Sequence, residues 1–198
     1  MKMMKTLLAA AVVAASVPAM AYEAGDMMVK AGVINVNPKS DNIDLGALGK
    51  AQIDDNTQLG LTFTYMVTPQ IGVEVLAATP FEHDVTLGGA KIASTKHLPP
   101  TVSAQYYFMD GASKVQPYVG LGLNYTNFFD TEGVGDLKDS WGLALSAGVN
   151  YDLNEQWLLN AAVWMIDIES EIEKTPGLNG TDVEIDPVVV MIGGGYKF

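Results

Sequence analysis

His83 and His97 are the only histidines in the chain, and Gly88-Gly89 lies midway between them. A hairpin turning on that glycine pair would set the two imidazoles face to face. Two imidazoles begin a metal site, but zinc asks for three or four protein ligands and no third stands nearby. Solvated loop histidines are the simpler reading. Neither histidine has a serine nucleophile with an orienting acid at hand. The chain has no cysteine, so thiolate ligands, cysteine nucleophiles, disulfides and a lipidated N-terminal cysteine are all excluded. Asp130, Glu132, Asp136 and Asp139 form an acidic run. Trp141 stands where a calcium loop needs its twelfth-position Glu, so a solvated loop is the simpler reading there too. We expect no catalytic residue, no metal and no cofactor, and a protein that is not an enzyme.

Lys30, Glu74, Asp167, Asp186 and Lys197 are the main charges set within apolar runs. What must position them is a series of runs with period two, the signature of strands. In Gln58 to Met66, Leu59, Leu61, Phe63 and Tyr65 alternate with Gly60, Thr62 and Thr64. Val115–Thr126 and Trp141–Tyr151 repeat the pattern, and Met27–Val36, Ile71–Thr79, Thr101–Phe108, Trp157–Ile168 and Ile185–Phe198 complete eight strands. A strand tilted in a bilayer needs ~9–11 residues to cross it. Glu74 lies opposite the Val73/Val75/Ala77 face, and Lys197 opposite Ile192, Tyr196 and Phe198. Lys30, Glu74 and Lys197 are therefore expected to point inward and to pair there as structural charges. Asp167 and Asp186 fall near strand ends.

The connections alternate. Val67–Gln70, Met109–Lys114 and Asp152–Gln156 are short; Asn37–Asp55, Pro80–Pro100, Phe129–Asp139 and Glu169–Glu184 are longer and more polar. Short periplasmic turns on one rim and four longer extracellular loops on the other describe a transmembrane β-barrel. A soluble eight-stranded barrel would also alternate, but its outer face would carry charges. Here one face is nearly free of charge and the other is rich in Gly, Ser, Thr, Asn and Gln, which suits lipid outside and a narrow packed lumen inside. Tyr65, Phe108, Tyr118, Trp141, Tyr151, Trp157 and Phe198 fall near strand ends and are expected to anchor the barrel at the headgroups.

Residues 1–21 read as a cleaved signal peptide: Lys2 and Lys5, the apolar run Leu7–Val17, then Ala19-Met20-Ala21. Residues 22–198 are then a single outer-membrane β-barrel domain. Loss of Lys2 and Lys5 takes the formal charge from −12 to −14. Such acidity argues against nucleic acid, whose phosphates call for clustered Lys and Arg. The expected surroundings are outer-membrane lipid and lipopolysaccharide. The stripe Val188, Val190, Ile192, Gly194, Tyr196 and Phe198 ends the chain on an aromatic. It resembles the signal read by barrel-assembly machinery, with Tyr196 and Phe198 as its last members.

Several stretches carry a family resemblance: Ala77-Ala78-Thr79-Pro80-Phe81, Lys96-His97-Leu98-Pro99-Pro100-Thr101, Gln105-Tyr106-Tyr107-Phe108, Pro117-Tyr118-Val119-Gly120, Asp139-Ser140-Trp141-Gly142, and Asp186-Pro187 before the last strand. With Asn56-Thr57-Gln58-Leu59-Gly60-Leu61, they resemble the OmpW family of small outer-membrane barrels across essentially the whole mature chain. The resemblance implies an eight-stranded barrel with an apolar-lined interior and passage of small hydrophobic molecules; some family members are bacteriocin receptors. It also implies a lumen constriction made by a Leu and a Trp, at Leu76 and Trp164. Side chains that simply fill the barrel are the other reading of these two. Pro80, Pro99 and Pro100 donate no ladder hydrogen bond. They mark either a loosened wall, through which a solute leaves sideways, or plain strand ends. Two functions remain in view: a channel for small hydrophobic solutes, and a surface receptor or adhesion scaffold that presents its loops on a plugged barrel.

Overall fold

A computed structural model describes residues 22–39, 43–44, 49–110, 112–133 and 135–198. The expected signal segment, 1–21, lies outside the described residues. Eight strands make the barrel: β1 (Met27–Asn37), β4 (Asn56–Thr68), β5 (Ile71–Ala78), β8 (Thr101–Tyr107), β9 (Val115–Glu132), β10 (Ser140–Asp152), β11 (Trp157–Ile166) and β14 (Val188–Lys197). Each pairs antiparallel with the next in that order, and β14 pairs back onto β1 through Met28↔Lys197 to Asn37↔Val188. The sheet closes on itself, so every barrel strand has a partner on both sides, as a membrane-spanning sheet requires.

Side-chain alternation decides the two faces. Leu59, Leu121, Leu143, Val102 and Ile192 point outward and are exposed, while Thr62, Ser103, Asn124 and Asn160 point inward and are buried. This inverts a soluble protein, and the ~25 Å apolar band it creates is what lipid demands. Trp141, Tyr65, Tyr151, Trp157 and Phe198 lie on the outer face as the sequence suggests. Tyr118 does not. It is buried in the lumen, because it shares the parity of Gln116 and not of Val119.

The long loops are more ordered than their polarity suggests. β6 (Phe81–Leu87) and β7 (Ala90–Leu98) form a hairpin. It turns at Gly88 and Gly89, whose φ values of 59° and 84° lie in the left-handed region, where glycine has no Cβ penalty. β7 pairs with the far end of β9, which runs well past its expected end at Thr126. β3 (Lys50–Ile53) pairs with β6, β2 (Ile43–Asp44) pairs with β3, and β12 (Glu169–Glu171) pairs with β13 (Asp182–Glu184). These pieces build a cap above the barrel. Phe81, His83 and Val85 alternate with Glu82 and Asp84; the charges hide an inward-facing strand inside what reads as a loop.

Candidate functional site: a lumen with a polar foot, an apolar throat and a cap

The lumen changes character along its length. Lys30, Glu74, Tyr118 and Asn160 each lie three residues from the short-turn end of their strands, and Asn150 lies two from the end of its own. Lys30 Nζ meets Glu74 Oε2 at 2.7 Å, and both side chains are fully buried. Thr64 donates to the same carboxylate at 3.2 Å. Lys30 Nζ also sits 5.2 Å from the Tyr118 ring centre, and Asn160 Nδ2 donates to the Tyr118 hydroxyl at 3.0 Å and to Asn150 at 2.8 Å. A buried ion pair is stabilised when its remaining hydrogen-bonding capacity is met; here Glu74 Oε2 is met by Lys30 and Thr64, while Glu74 Oε1 has no partner. Gly148 makes room: a Cβ there would fall 2.5 Å from the Tyr118 hydroxyl. Lys197 does not join the pair. Its Nζ lies 5.0 Å over the Tyr22 ring, because Lys197 is the last residue of β14 and reaches only the rim.

Leu76 and Trp164 sit at the other end, each two residues from the long-loop end of its strand. Both are buried in the lumen and belong to its apolar cluster, with Ile34, Val189 and Met191. Trp164 Nε1 has no hydrogen-bond partner. An indole N–H left unmatched in an apolar girdle costs free energy.

The wall is broken beside Leu76. The β5–β8 ladder ends at Leu76↔Thr101, and pairing resumes only at Phe81↔His97. Between them lie 77–80 on one side and 98–100 on the other. Pro80 and Pro100 are exposed and Pro99 is buried. The Pro99 and Pro100 carbonyls accept instead from Asn124 Nδ2, at 3.1 and 3.3 Å, and Pro100 also from the Tyr125 N–H at 3.0 Å. That side of the break is thus tied to β9 and not to β5. The three prolines flank a seam.

Above the seam the cap encloses a cavity of about 70 Å³, lined by Ile43, Val85, His97, Phe128, Leu137 and Val183 among others. A water needs ~10–15 Å³ on this measure, so the space takes about five water-sized groups. The two histidines are not solvated, contrary to expectation: both are at least 98% buried. Their rings stack with centres 5.0 Å apart and planes 10° from parallel, Phe81 stacks on His97 at 5.5 Å, and Phe128 packs tilted against it at 5.8 Å. The glycine hairpin does bring them face to face. His83 Nδ1 donates to the Asp54 carbonyl at 2.5 Å. Burial pushes His97 down to about 3, with the neighbouring His83 adding to the effect, and burial also lowers His83. Both are therefore neutral at pH 7. Among the described residues no three His, Cys, Asp or Glu side chains gather where they could hold a metal.

The acidic run is occupied by protein contacts. Asp130 pairs with Lys96 at 3.3 Å, Asp136 with Lys174, and Asp139 accepts from the Tyr125 hydroxyl at 2.6 Å and from Asn127 at 2.9 Å. That hydroxyl is the main reason the exposed Asp139 is held below the usual carboxylate range.

Sequence profiles of the OmpW family match residues 23–198. Outer membrane protein W of Vibrio cholerae is 47% identical over 99% of this chain and all of its own length. Outer membrane protein AlkL of Ectopseudomonas oleovorans is 31% identical over 79% of this chain and 74% of its own. The crystal structure of the outer membrane protein OprG from Pseudomonas aeruginosa superposes with a TM-score of 0.79 at 46% identity, covering 91% of this chain and 99% of that one. A closed eight-stranded barrel with an apolar outer face, matched over nearly its whole length by outer-membrane proteins, makes this chain a member of the OmpW family in the outer membrane.

Proposed function

We propose that the barrel carries small hydrophobic molecules from the cell surface into the outer membrane. The observation that carries this reading is the order of materials along the lumen: an apolar cap cavity, the Leu76/Trp164 throat, then a charged, hydrogen-bonded foot. An apolar solute gains by leaving water for the cap, roughly 25 cal/mol per Å² of its surface. It gains nothing from the Lys30–Glu74 foot, whose buried charged and polar groups offer it no apolar surface. The seam at 77–80 and 98–100 lies beside the throat and offers the way out into lipid. Pro80, Pro99 and Pro100 keep it unzipped.

Uptake of a small apolar reporter by whole cells tests this. Cells carrying the protein should take it up faster than cells without it. Leu76→Arg should abolish the difference at unchanged membrane level, and Trp164→Ala should alter it. Equal uptake in all strains would sink the reading. The filled foot favours one other reading, a plugged scaffold whose extracellular loops engage a partner such as a bacteriocin; loop exchange would then change binding while Leu76→Arg would not.

Two further roles belong to this proposal. Residues 1–21 direct export and are removed. The C-terminal stripe is the assembly signal: Tyr196 packs edge-on against Phe198 at 4.9 Å, and Phe198 remains exposed. Deletion of Phe198 should lower the amount of barrel in the membrane.

A further inference from the structure

Phe81, His83 and Val85 face into the cap, and Glu82 and Asp84 between them face outward. The His83 ring lines the cap cavity together with that of His97. One bond fixes the His83 tautomer. The Asp54 carbonyl can only accept, so its 2.5 Å contact with Nδ1 places the ring proton there. Burial disfavours the charged ring, so His83 is neutral at pH 7. Its Nε2 therefore carries a bare lone pair. Nε2 lies on the edge of the imidazole farthest from the main chain, and on this inward-facing ring that edge is the inner one. It is closed off from solvent, and no described protein group donates to it. His97 Nε2, on the ring stacked against it, is likewise buried and unmatched. An acceptor buried without a donor bears its desolvation penalty uncompensated. Most of the remaining wall is apolar, Ile43, Val85, Phe128 and Val183 among it.

We propose that His83 makes the cap a binding site for small hydrophobic molecules that carry one O–H or N–H group, such as phenols and short alcohols. The ligand donates to Nε2 and lays its hydrocarbon part against the apolar wall. Pockets of this kind take affinity from apolar area and selectivity from a few placed polar groups. A hydrocarbon of the same shape fills the space and leaves the lone pair unmet. A ketone or ether, which can only accept, leaves it unmet as well. An ion would give up its hydration for an apolar wall. The cavity of about 70 Å³ takes about five water-sized groups, room for one monocyclic phenol or one short alcohol. This names the solute class of the transport reading and rests on that reading for what becomes of the ligand; the site itself stands on the cavity and the lone pair.

The test is nitrogen NMR of the purified protein, isotope-labelled at histidine and held in lipid nanodiscs. His83 and His97 are the only histidines, so the spectrum is simple. The probes are phenol and toluene, which share a shape and differ by the hydroxyl. Phenol should move the His83 Nε2 resonance toward its hydrogen-bonded position and saturate; toluene should leave that resonance in place. His83→Phe should weaken phenol binding, read at His97, about two- to tenfold, the worth of one hydrogen bond. It should leave toluene binding unchanged. Phenol that leaves His83 Nε2 unmoved, or toluene that moves it as far, would overturn the proposal. So would unchanged phenol binding in a folded His83→Phe. If that variant does not fold or loses both ligands, the wild-type titration decides alone. Cell uptake keeps this apart from the transport reading. Phenol bound at His83 with no protein-dependent uptake would keep the site and remove the channel; protein-dependent uptake with His83 unmoved would do the reverse.

Discussion

The foot and the cap close the same lumen by opposite means. At the foot, Lys30, Glu74, Tyr118, Asn150 and Asn160 are held by directed hydrogen bonds and one buried ion pair. In the cap, Phe81, His83, His97 and Phe128 are held mainly by ring contacts beside an apolar cavity, with one hydrogen bond from His83 Nδ1 to the Asp54 carbonyl; both ends keep unpartnered polar atoms, the two histidine Nε2 atoms in the cap and Glu74 Oε1 and Asn160 Oδ1 in the foot. Directed bonds among buried charges are costly to break singly and leave little room to adapt. Stacked rings around a void tolerate displacement. The difference makes the short-turn end the rigid one and the long-loop end the yielding one.

Perturbations of the two ends should separate accordingly. The largest effect is expected from Glu74→Ala, which strands the Lys30 ammonium in the foot. Removal of one partner of a buried pair costs about 3–5 kcal/mol, read as a lower urea midpoint for the barrel refolded in lipid. A midpoint within error of wild type would show that the foot is not the rigid end. Leu121→Arg, on the lipid face, should cost ~2–4 kcal/mol near the bilayer centre. It should do so without opening either end, measured by the same unfolding curve.

Acid should loosen the cap. His97 has a folded value of about 3, below the ~6.5 of an unfolded histidine. Its neutral form therefore stabilises the closed cap fully above ~6.5, and this is lost progressively as pH falls toward 3. Between pH 8 and pH 5 the closed cap should lose about 2 kcal/mol at 1.36 kcal/mol per unit. Amide exchange in β6 and β7 should quicken over that range while β1 and β5 stay protected. His97→Phe should weaken the response, with the buried His83 supplying what remains. The smallest effect is expected from Gly148→Ala, whose new Cβ must push Tyr118 aside; overpacking of this kind costs about 1–3 kcal/mol. Loss of the Tyr118–Asn160 hydrogen bond should be visible by NMR of the asparagine side chain.

Much of the barrel is written plainly in the sequence. The period of two in Gln58–Met66 and Trp141–Tyr151 sets both the strands and their faces, because lipid and lumen each tolerate only one kind of side chain. The inward direction of Lys30 and Glu74 follows from parity alone. Their pairing depends on the stagger of β1, β4 and β5, which bring Lys30, Thr62 and Leu76 into register. The cap is less legible. Glu82, Asp84 and Lys96 face outward in water and erase the signal that an all-apolar face would give. Burial of His83 and His97 is a product of four elements meeting, and no local pattern encodes that. Tyr22 carried no signal beyond its place after the Ala19-Met20-Ala21 site. Its burial in the lumen follows the turn at Gly25.

The seam is the point at which the whole account can fail. The chain has no cysteine, so Ala78→Cys with Pro99→Cys places two unique thiols on opposite sides of it. A short reducible thiol cross-linker can then tie β5 to the segment before β8 in intact cells. Apolar reporter uptake should fall to that of cells lacking the protein when the link is formed, and should return when it is reduced. Uptake that is indifferent to a demonstrated cross-link would contradict lateral exit.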